Sequence, residues 1–266
     1  MRYAKVLTVA GSDSGGGAGI EADLKTIERL GGYGMAAVTA VTAQNTRGVQ
    51  GIWELPAEAV SRQIGAVAED LGVDAAKCGM LGSAATVRAT ARALARCPGL
   101  PLVVDPVMRA KGGDRLLAPE AETALRDELL PLATLVTPNL PEAEALVGAA
   151  VRTRFEREEA ARRIRGMGAG AVLIKGGHGD GDEVEDLLYD GEGFYVFRGT
   201  RIETQHTHGT GCTLSAAAAT GLGQGLGLKE AVDRAIRYVQ AAIRHAPGYG
   251  SGHGPLGHHA GQRPWI

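Results

Sequence analysis

Short apolar runs rich in Val and Ile alternate along the chain with longer Ala-rich stretches of helical character. The short runs predict strands over Lys5–Ala10, Ala36–Thr42, Val49–Leu55, Ala75–Cys78, Leu102–Asp105, Leu135–Thr137, Ala171–Lys175, Glu185–Tyr189 and Phe194–Arg198. The longer ones predict helices over Gly19–Leu30, Ala57–Leu71, Ser83–Ala95, Pro119–Leu130, Leu140–Val147, Arg157–Met167, Thr210–Gly223 and Lys229–Arg244. Leu102–Val104 and Ala171–Ile174 are apolar without alternation, as in strands covered on both faces of a mostly parallel sheet. The expected class is therefore α/β, a three-layer arrangement of a mostly parallel sheet between two layers of helices. Ligands of such a sheet bind beyond the carboxyl ends of its strands. Tyr33–Leu55 breaks the alternation with two consecutive strand runs, which predicts a small β hairpin or flap at the sheet edge.

Composition narrows the function classes. With 44% apolar residues over 266 positions, the chain can bury a large core. Neither a low-complexity linker nor an internal repeat divides it, so residues 1–266 are expected to form one domain. A formal net charge of -2 gives no footprint for nucleic acid or an anionic membrane surface. Three cysteines, Cys78, Cys97 and Cys212, lack metal-ligand spacing and cannot all pair, which points to a reducing compartment. With no signal-like N-terminus and no run of membrane-spanning length, the expectation is a cytoplasmic protein.

The forty glycines cluster at a few places. Gly11-Ser12-Asp13-Ser14-Gly15-Gly16-Gly17-Ala18-Gly19 joins the first strand to a helix, where glycines admit a ligand close to the backbone and free N–H groups favour an anion. A plain tight turn is the alternative. It is not a Walker A loop, because no Gly-Lys-Ser/Thr occurs, and the one G-x-G-x-x-G, starting at Gly252, follows no strand. Gly209-Thr210-Gly211-Cys212 opens another helix, and its N–H groups suit a charge that grows in reaction, as on a phosphoryl group in flight. The same field should lower the Cys212 thiol pKa; a small buried cysteine is the bland alternative. Asn139-Leu140-Pro141-Glu142 reads as a helix cap, or as hard oxygen groups that organise Mg²⁺ through water, with Asp105 nearby. Lys175-Gly176-Gly177-His178 ends an apolar strand with a lysine that is either a cation for phosphate oxygens or a snorkelling surface residue, and the double glycine favours a ligand.

In this order the segments resemble the ribokinase-like superfamily and, within it, the hydroxymethylpyrimidine/phosphomethylpyrimidine kinases of thiamine biosynthesis. The resemblance also runs through Ala22-Asp23-Leu24-Lys25, Thr39–Thr46, Lys77-Cys78-Gly79-Met80-Leu81, Val104-Asp105-Pro106-Val107-Met108 and the tail Gly250–His258. It implies ATP and Mg²⁺ as co-substrates and two successive phosphoryl transfers, to the pyrimidine alcohol and then to its monophosphate. By resemblance Gln44 reads the aminopyrimidine, with Gly11, Asp23, Met80 and Val107 lining its pocket. Lys175, Thr210, Gly211 and Asp105 fall near the triphosphate, Asn139 and Glu142 at the Mg²⁺ site, and Cys212, with Gly209, Thr210 and Gly211, at the catalytic centre. Most of the superfamily has an aspartate base where Cys212 stands. A homodimer is implied as well.

Two other readings compete. A pyridoxine, pyridoxal or pyridoxamine kinase uses the same fold on a similar hydroxymethyl group. A non-catalytic binder of vitamin precursors should have lost Cys212, Lys175 or the Gly-Thr-Gly, and all are present. The pairs His206/His208 and His258/His259 lack further ligands for a metal and read as loop or surface histidines.

Overall fold

A computed structural model describes residues 3–109, 113, 116–177 and 181–260. Among them nine strands form one sheet: β1 (Ala4–Asp13), β2 (Gly32–Asn45), β3 (Gly48–Glu54), β4 (Ala75–Cys78), β5 (Leu102–Val104), β6 (Leu135–Val136), β7 (Val172–Ile174), β8 (Glu183–Tyr189) and β9 (Phe194–Thr200). Their order is β3-β2-β1-β4-β5-β6-β7-β8-β9. Strands β2 to β7 in that order run parallel, while β3 at one edge and β8 and β9 at the other pair antiparallel. The chain leaves β1 outward to β2 and later returns to its other side with β4. The crevice beyond β1 and β4 is thus the topological switch point, where open parallel sheets bind ligands.

Neighbouring residues of the central strands face opposite cores. Leu7, Val9, Val104, Val136 and Ile174 pack beneath α2 (Ala57–Asp70), α3 (Ala84–Leu94), α5 (Leu140–Val147) and α6 (Arg154–Gly166). Val6, Val103, Leu135 and Leu173 pack beneath α1 (Gly19–Arg29), α7 (Thr210–Gly223) and α8 (Leu228–Arg244). Both faces are buried, which explains the unbroken apolar runs. The three layers are those expected.

Three local differences have physical causes. The predicted helix Pro119–Leu130 is a single α-helical turn and a half, α4 (Pro119–Ala124), then a π turn over Leu125–Leu129 and a 3₁₀ turn over Leu130–Leu132, where Pro131 cannot continue an α-helix. Helix α6 starts at Arg154 rather than Arg157 because Thr153 and Glu156 close a capping box. The predicted flap is mostly sheet: β2 pairs with β1 as far as Thr42, and only the β2–β3 hairpin beyond it overhangs, carrying Gln44. The tail braces that overhang through His253 N–H, which donates to the Thr46 carbonyl at 2.8 Å.

Candidate active site

The carboxyl ends of the parallel strands open into a cavity of about 660 Å³. Each strand delivers one part of its wall. A register break in β1 between Ala10 and Ser12 leaves Gly11 facing the cavity. Gln44 comes from β2, Met80 from the end of β4, Asp105 and Val107 from the end of β5, Asn139 and Glu142 from the start of α5, and Lys175 from the end of β7. Gly209, Thr210, Gly211 and Cys212 enter from the start of α7. Cys212 and Gln44, far apart in sequence, share this one cavity.

The two glycine-rich segments meet backbone to backbone. Gly209 caps α7 with φ +85°, and a Cβ there would run into the Gly17 carbonyl. A glycine is required twice over, by the left-handed backbone and by the close approach. Gly211 lies open beside the charged groups. A Cβ on it would stand 3.2 Å from Asp105 Oδ2 and 3.3 Å from Lys175 Nζ. The space that this missing side chain leaves, under the first N–H groups of α7 and beside a lysine, has the size and polarity for phosphate oxygens.

Lys175 Nζ donates to Asp105 Oδ1 at 2.7 Å and stands 3.9 Å from Glu142 Oε2. Burial works against its charge, but Asp105 and Glu142 outweigh it and hold the ammonium's pKa above its ordinary value. Burial pushes Glu142 up to about 7, aided by Asp105 and opposed by Lys175. Asn139 Oδ1 accepts from the Glu142 N–H at 2.9 Å, and Glu142 Oε2 from the Asn139 N–H at 2.8 Å, a complete capping box. The expected cap is present, and both oxygen-bearing side chains line the cavity. No group of three or more His, Cys, Asp or Glu that could hold a metal occurs among the described residues. A hard cation here fits as one held by phosphate and water and touched by Asp105, Asn139 and Glu142, rather than one caged by protein.

Two expectations need correction. Asp23 does not line the cavity. It is fully buried under the floor, paired with the equally buried Lys77 at 2.7 Å and accepting from Thr8 Oγ1 at 2.6 Å. The apolar run around β4 hid Lys77 as a site residue. The second concerns Cys212. Although it is only half-buried and opens to the cavity, its desolvation pushes the thiol up to about 11. Lys77 and the Gly19 N–H favour the thiolate, while Asp23 and Asp105 oppose it. The helix terminus alone does not overcome desolvation beside two carboxylates.

Asp13 and His208 were missed as site residues, and His208 is no surface histidine. It is 9% exposed, lies against the cavity and bonds through Nε2 to Asp13 Oδ2 at 2.8 Å. His258 is likewise buried, on Thr213 Oγ1 at 3.0 Å, and burial pushes it down to about 4. No spacing in the sequence marks these contacts, since Asp13 and His208 are 195 residues apart. His178 lies outside the described residues.

This switch-point cavity, with an anion-binding helix start, a lysine and a carboxylate pair at its rim, defines an α/β phosphotransferase with a ribokinase-like fold. The sequence profile of the family described as phosphomethylpyrimidine kinase matches residues 13–257. The chain is 47% identical over 264 residues to the hydroxymethylpyrimidine/phosphomethylpyrimidine kinase of Bacillus subtilis, covering 99% of this chain and 97% of that one. It is 53% identical over 253 residues (95% of this chain) to the bifunctional thiamine biosynthesis protein ThiED of Geobacter sulfurreducens, of which it spans only 52%. Among solved structures it superposes with a TM-score of 0.91 on the Staphylococcus aureus pyridoxal kinase in complex with AMP-PCP and pyridoxal, at 36% identity over 99% of this chain and 96% of that one. With the phosphomethylpyrimidine kinase of Clostridium difficile the TM-score is 0.81, at 41% identity over 90% and 99%. The chain belongs to the phosphomethylpyrimidine kinase family.

Proposed function

We propose that the chain uses ATP to phosphorylate 4-amino-5-hydroxymethyl-2-methylpyrimidine to its monophosphate, and then that monophosphate to the diphosphate, in thiamine biosynthesis. The observation that carries this reading is the single cavity holding Gln44 at one wall and the start of α7 with Cys212 at another. A carboxamide offers a donor and an acceptor side by side, the complement of an exocyclic amine next to a ring nitrogen. Gln44 reads that edge, while Gly11, Met80 and Val107 leave a flat apolar slot around the ring.

The triphosphate lies along the rim, with Lys175 on its oxygens and the N–H groups of Thr210 and Gly211 facing the phosphoryl group in transfer. Charge on that group spreads over its outer oxygens in a loose transition state, so pre-aimed N–H groups stabilise it without reorganisation. Asn139 and Glu142, with Asp105 beside them, would hold Mg²⁺, which would neutralise phosphate charge there. A cation at that spot would favour the ionised form of Glu142, which burial disfavours. Cys212 rests as a thiol, so its first task is to hold the acceptor oxygen in line. The alcohol proton leaves late, as a loose transition state allows, and passes to an oxygen of the transferred phosphoryl group and from there to solvent.

The reading extends to three coarser matters. One continuous sheet supports a single working domain over the whole chain. Free cysteines support a cytoplasmic setting, and among the described residues no helix is long and apolar enough to cross a membrane. The edge strand β3, with Trp53 62% exposed and Ile52 beside it, supports a homodimer, which sedimentation would test.

The test of the site is Gln44→Ala. It should raise KM for the pyrimidine at least tenfold, the loss expected of one or two hydrogen bonds to an uncharged ligand, with KM for ATP unchanged. An equal rise in both constants would remove Gln44 from the pyrimidine subsite.

The second reading, a pyridoxal kinase, rests on the likeness to the S. aureus enzyme. The greater identity to the pyrimidine kinases favours the first.

A further inference from the structure

Gln44 is held more firmly than reading a ligand by itself requires. Its backbone is clamped by Ser14, whose Oγ accepts the Gln44 N–H at 2.8 Å and donates to the Gln44 carbonyl at 2.9 Å. Its side chain lies between two polar neighbours. The end of the carboxamide placed as Nε2 is 3.3 Å from His208 Nε2, and the end placed as Oε1 is 3.3 Å from Thr42 Oγ1.

The neighbours decide which end is which, because amide oxygen and nitrogen have the same shape. Asp13 accepts N–H groups from Gly15 at 2.8 Å, Gly17 at 3.0 Å and Ala18 at 2.9 Å. Burial works against its charge, but His208, with the N–H groups of Gly15 and Ala18, holds the carboxyl below the usual aspartate range. A carboxylate only accepts, so the imidazole nitrogen 2.8 Å from it, Nε2, carries a proton. An amide N–H turned toward that nitrogen sets donor against donor. Turned over, the amide sets no like groups against each other. Oε1 then takes a share of the one proton on His208 Nε2, whose main acceptor is Asp13 Oδ2, and the amide N–H donates to Thr42 Oγ1, whose own proton goes to the Ser12 carbonyl at 2.8 Å.

We propose that Asp13 and His208 are positioning residues that lock the Gln44 carboxamide in this one orientation, and thereby fix which way round an aminopyrimidine ring lies in the cavity. The inference rests on the reading of Gln44 given above and deepens it. With one lone pair of Oε1 and one N–H used by the protein, one acceptor and one donor remain for the ligand. The exocyclic amine must sit on the His208 side and the ring nitrogen on the Thr42 side. A carboxamide free to turn over would accept the ring in the reverse sense as well, with its hydroxymethyl group carried away from Cys212. Gly17 belongs to the same device, since a Cβ there would come within 2.6 Å of His208 Cδ2 and push the ring off the loop.

The experiment compares kcat/KM for 4-amino-5-hydroxymethyl-2-methylpyrimidine with that for the analogue lacking the amino group, in the full-length protein. His208→Met should narrow the preference for the amino compound roughly tenfold, the scale of one hydrogen bond, with KM for ATP unchanged. His208→Gln, which still donates toward Asp13, should recover part of it. Thr42→Val removes the partner on the other side of the amide and should narrow the preference in the same way, so the question stays open to test if His208→Met does not fold. On a Gln44→Ala background neither substitution should narrow it further. A uniform fall for both substrates makes His208 a loop support and overturns the lock, as do independent losses in the double variants. A Gln44→Ala variant that keeps its preference overturns the reading of Gln44 and the lock together.

Discussion

Lys77 and Asp23 form an ion pair of 2.7 Å, both side chains fully buried, directly under the cavity floor and within electrostatic reach of Cys212. Asp23 Oδ1 has no hydrogen-bond partner, so the lysine and Thr8 carry the whole stabilisation of that carboxylate. Burial works against the lysine's charge, yet Asp23 first, with Cys212 and Asp105, holds its pKa above the ordinary value. Removing one partner of such a pair typically costs about 3–5 kcal/mol, whereas replacing both by apolar residues is often neutral.

Lys77→Met should therefore lower the melting temperature sharply, and adding Asp23→Leu should restore much of it. Activity should not return with stability, because the cation beside Cys212 is still missing. We expect kcat in the double variant to stay at least tenfold down with KM for the pyrimidine little changed. Full recovery of kcat in the double variant would make the pair purely structural.

Cys212→Ala should lower kcat by roughly two orders of magnitude, the scale of misplacing a reacting oxygen by about an ångström. In the free protein, alkylation of this thiol should follow a titration near 11. Its contribution to stability runs the same way. The folded protein keeps the proton to higher pH than the unfolded chain, so stability is complete below about 9 and is lost as pH rises towards 11. An alkylation midpoint below pH 8 would show a thiolate already formed and restore the simple base.

Glu142 makes the opposite end of the range testable. Its carboxyl is pushed from an ordinary 4.5 up to about 7. The folded state thus binds a proton that the unfolded chain has released, and stability falls as pH rises from about 4.5 through 7. Without nucleotide, Glu142→Gln should flatten this loss and make the protein more stable at pH 8 by a few kcal/mol at most. Urea unfolding at pH 5 and pH 8 reads the difference. A slope unchanged by the substitution would exclude Glu142 as its source.

Gly211→Ala tests the phosphate space. The added methyl should separate Lys175 from Asp105 and lower kcat tenfold or more, with the melting temperature within a few degrees of the parent. Gly209→Ala should instead fail to fold or lose several kcal/mol, because its φ is +85° and the Gly17 carbonyl blocks the methyl. Equal melting temperatures for the two variants would contradict the packing of loop on loop.

The strands and most helices were legible in the sequence because each central strand is buried on both faces and reads as an unbroken apolar run, while the helices are Ala-rich; α7 is buried all round from Thr213 to Gly221 and shows no amphipathic face. Thr153 and Glu156 were also legible as a cap in principle, and their capping box adds the turn that the apolar pattern of α6 did not show. Residues at strand ends, from Asp105 to Lys175, were legible by chemistry out of place beside apolar runs. Asp23, Lys77, Asp13 and His208 were not. Asp23 sits on an amphipathic helix and Lys77 in a strand, and nothing local distinguishes a charge facing a cavity from one paired beneath it. His208 meets Asp13 only because Gly209 and Gly17 touch, a relation that exists in space alone.

The most direct measurement incubates the purified protein with ATP, Mg²⁺ and 4-amino-5-hydroxymethyl-2-methylpyrimidine and follows the products by mass. The account predicts a monophosphate that rises first and a diphosphate that replaces it, with pyridoxal giving a monophosphate only, if anything. Turnover of pyridoxal with no diphosphate from the pyrimidine would contradict it.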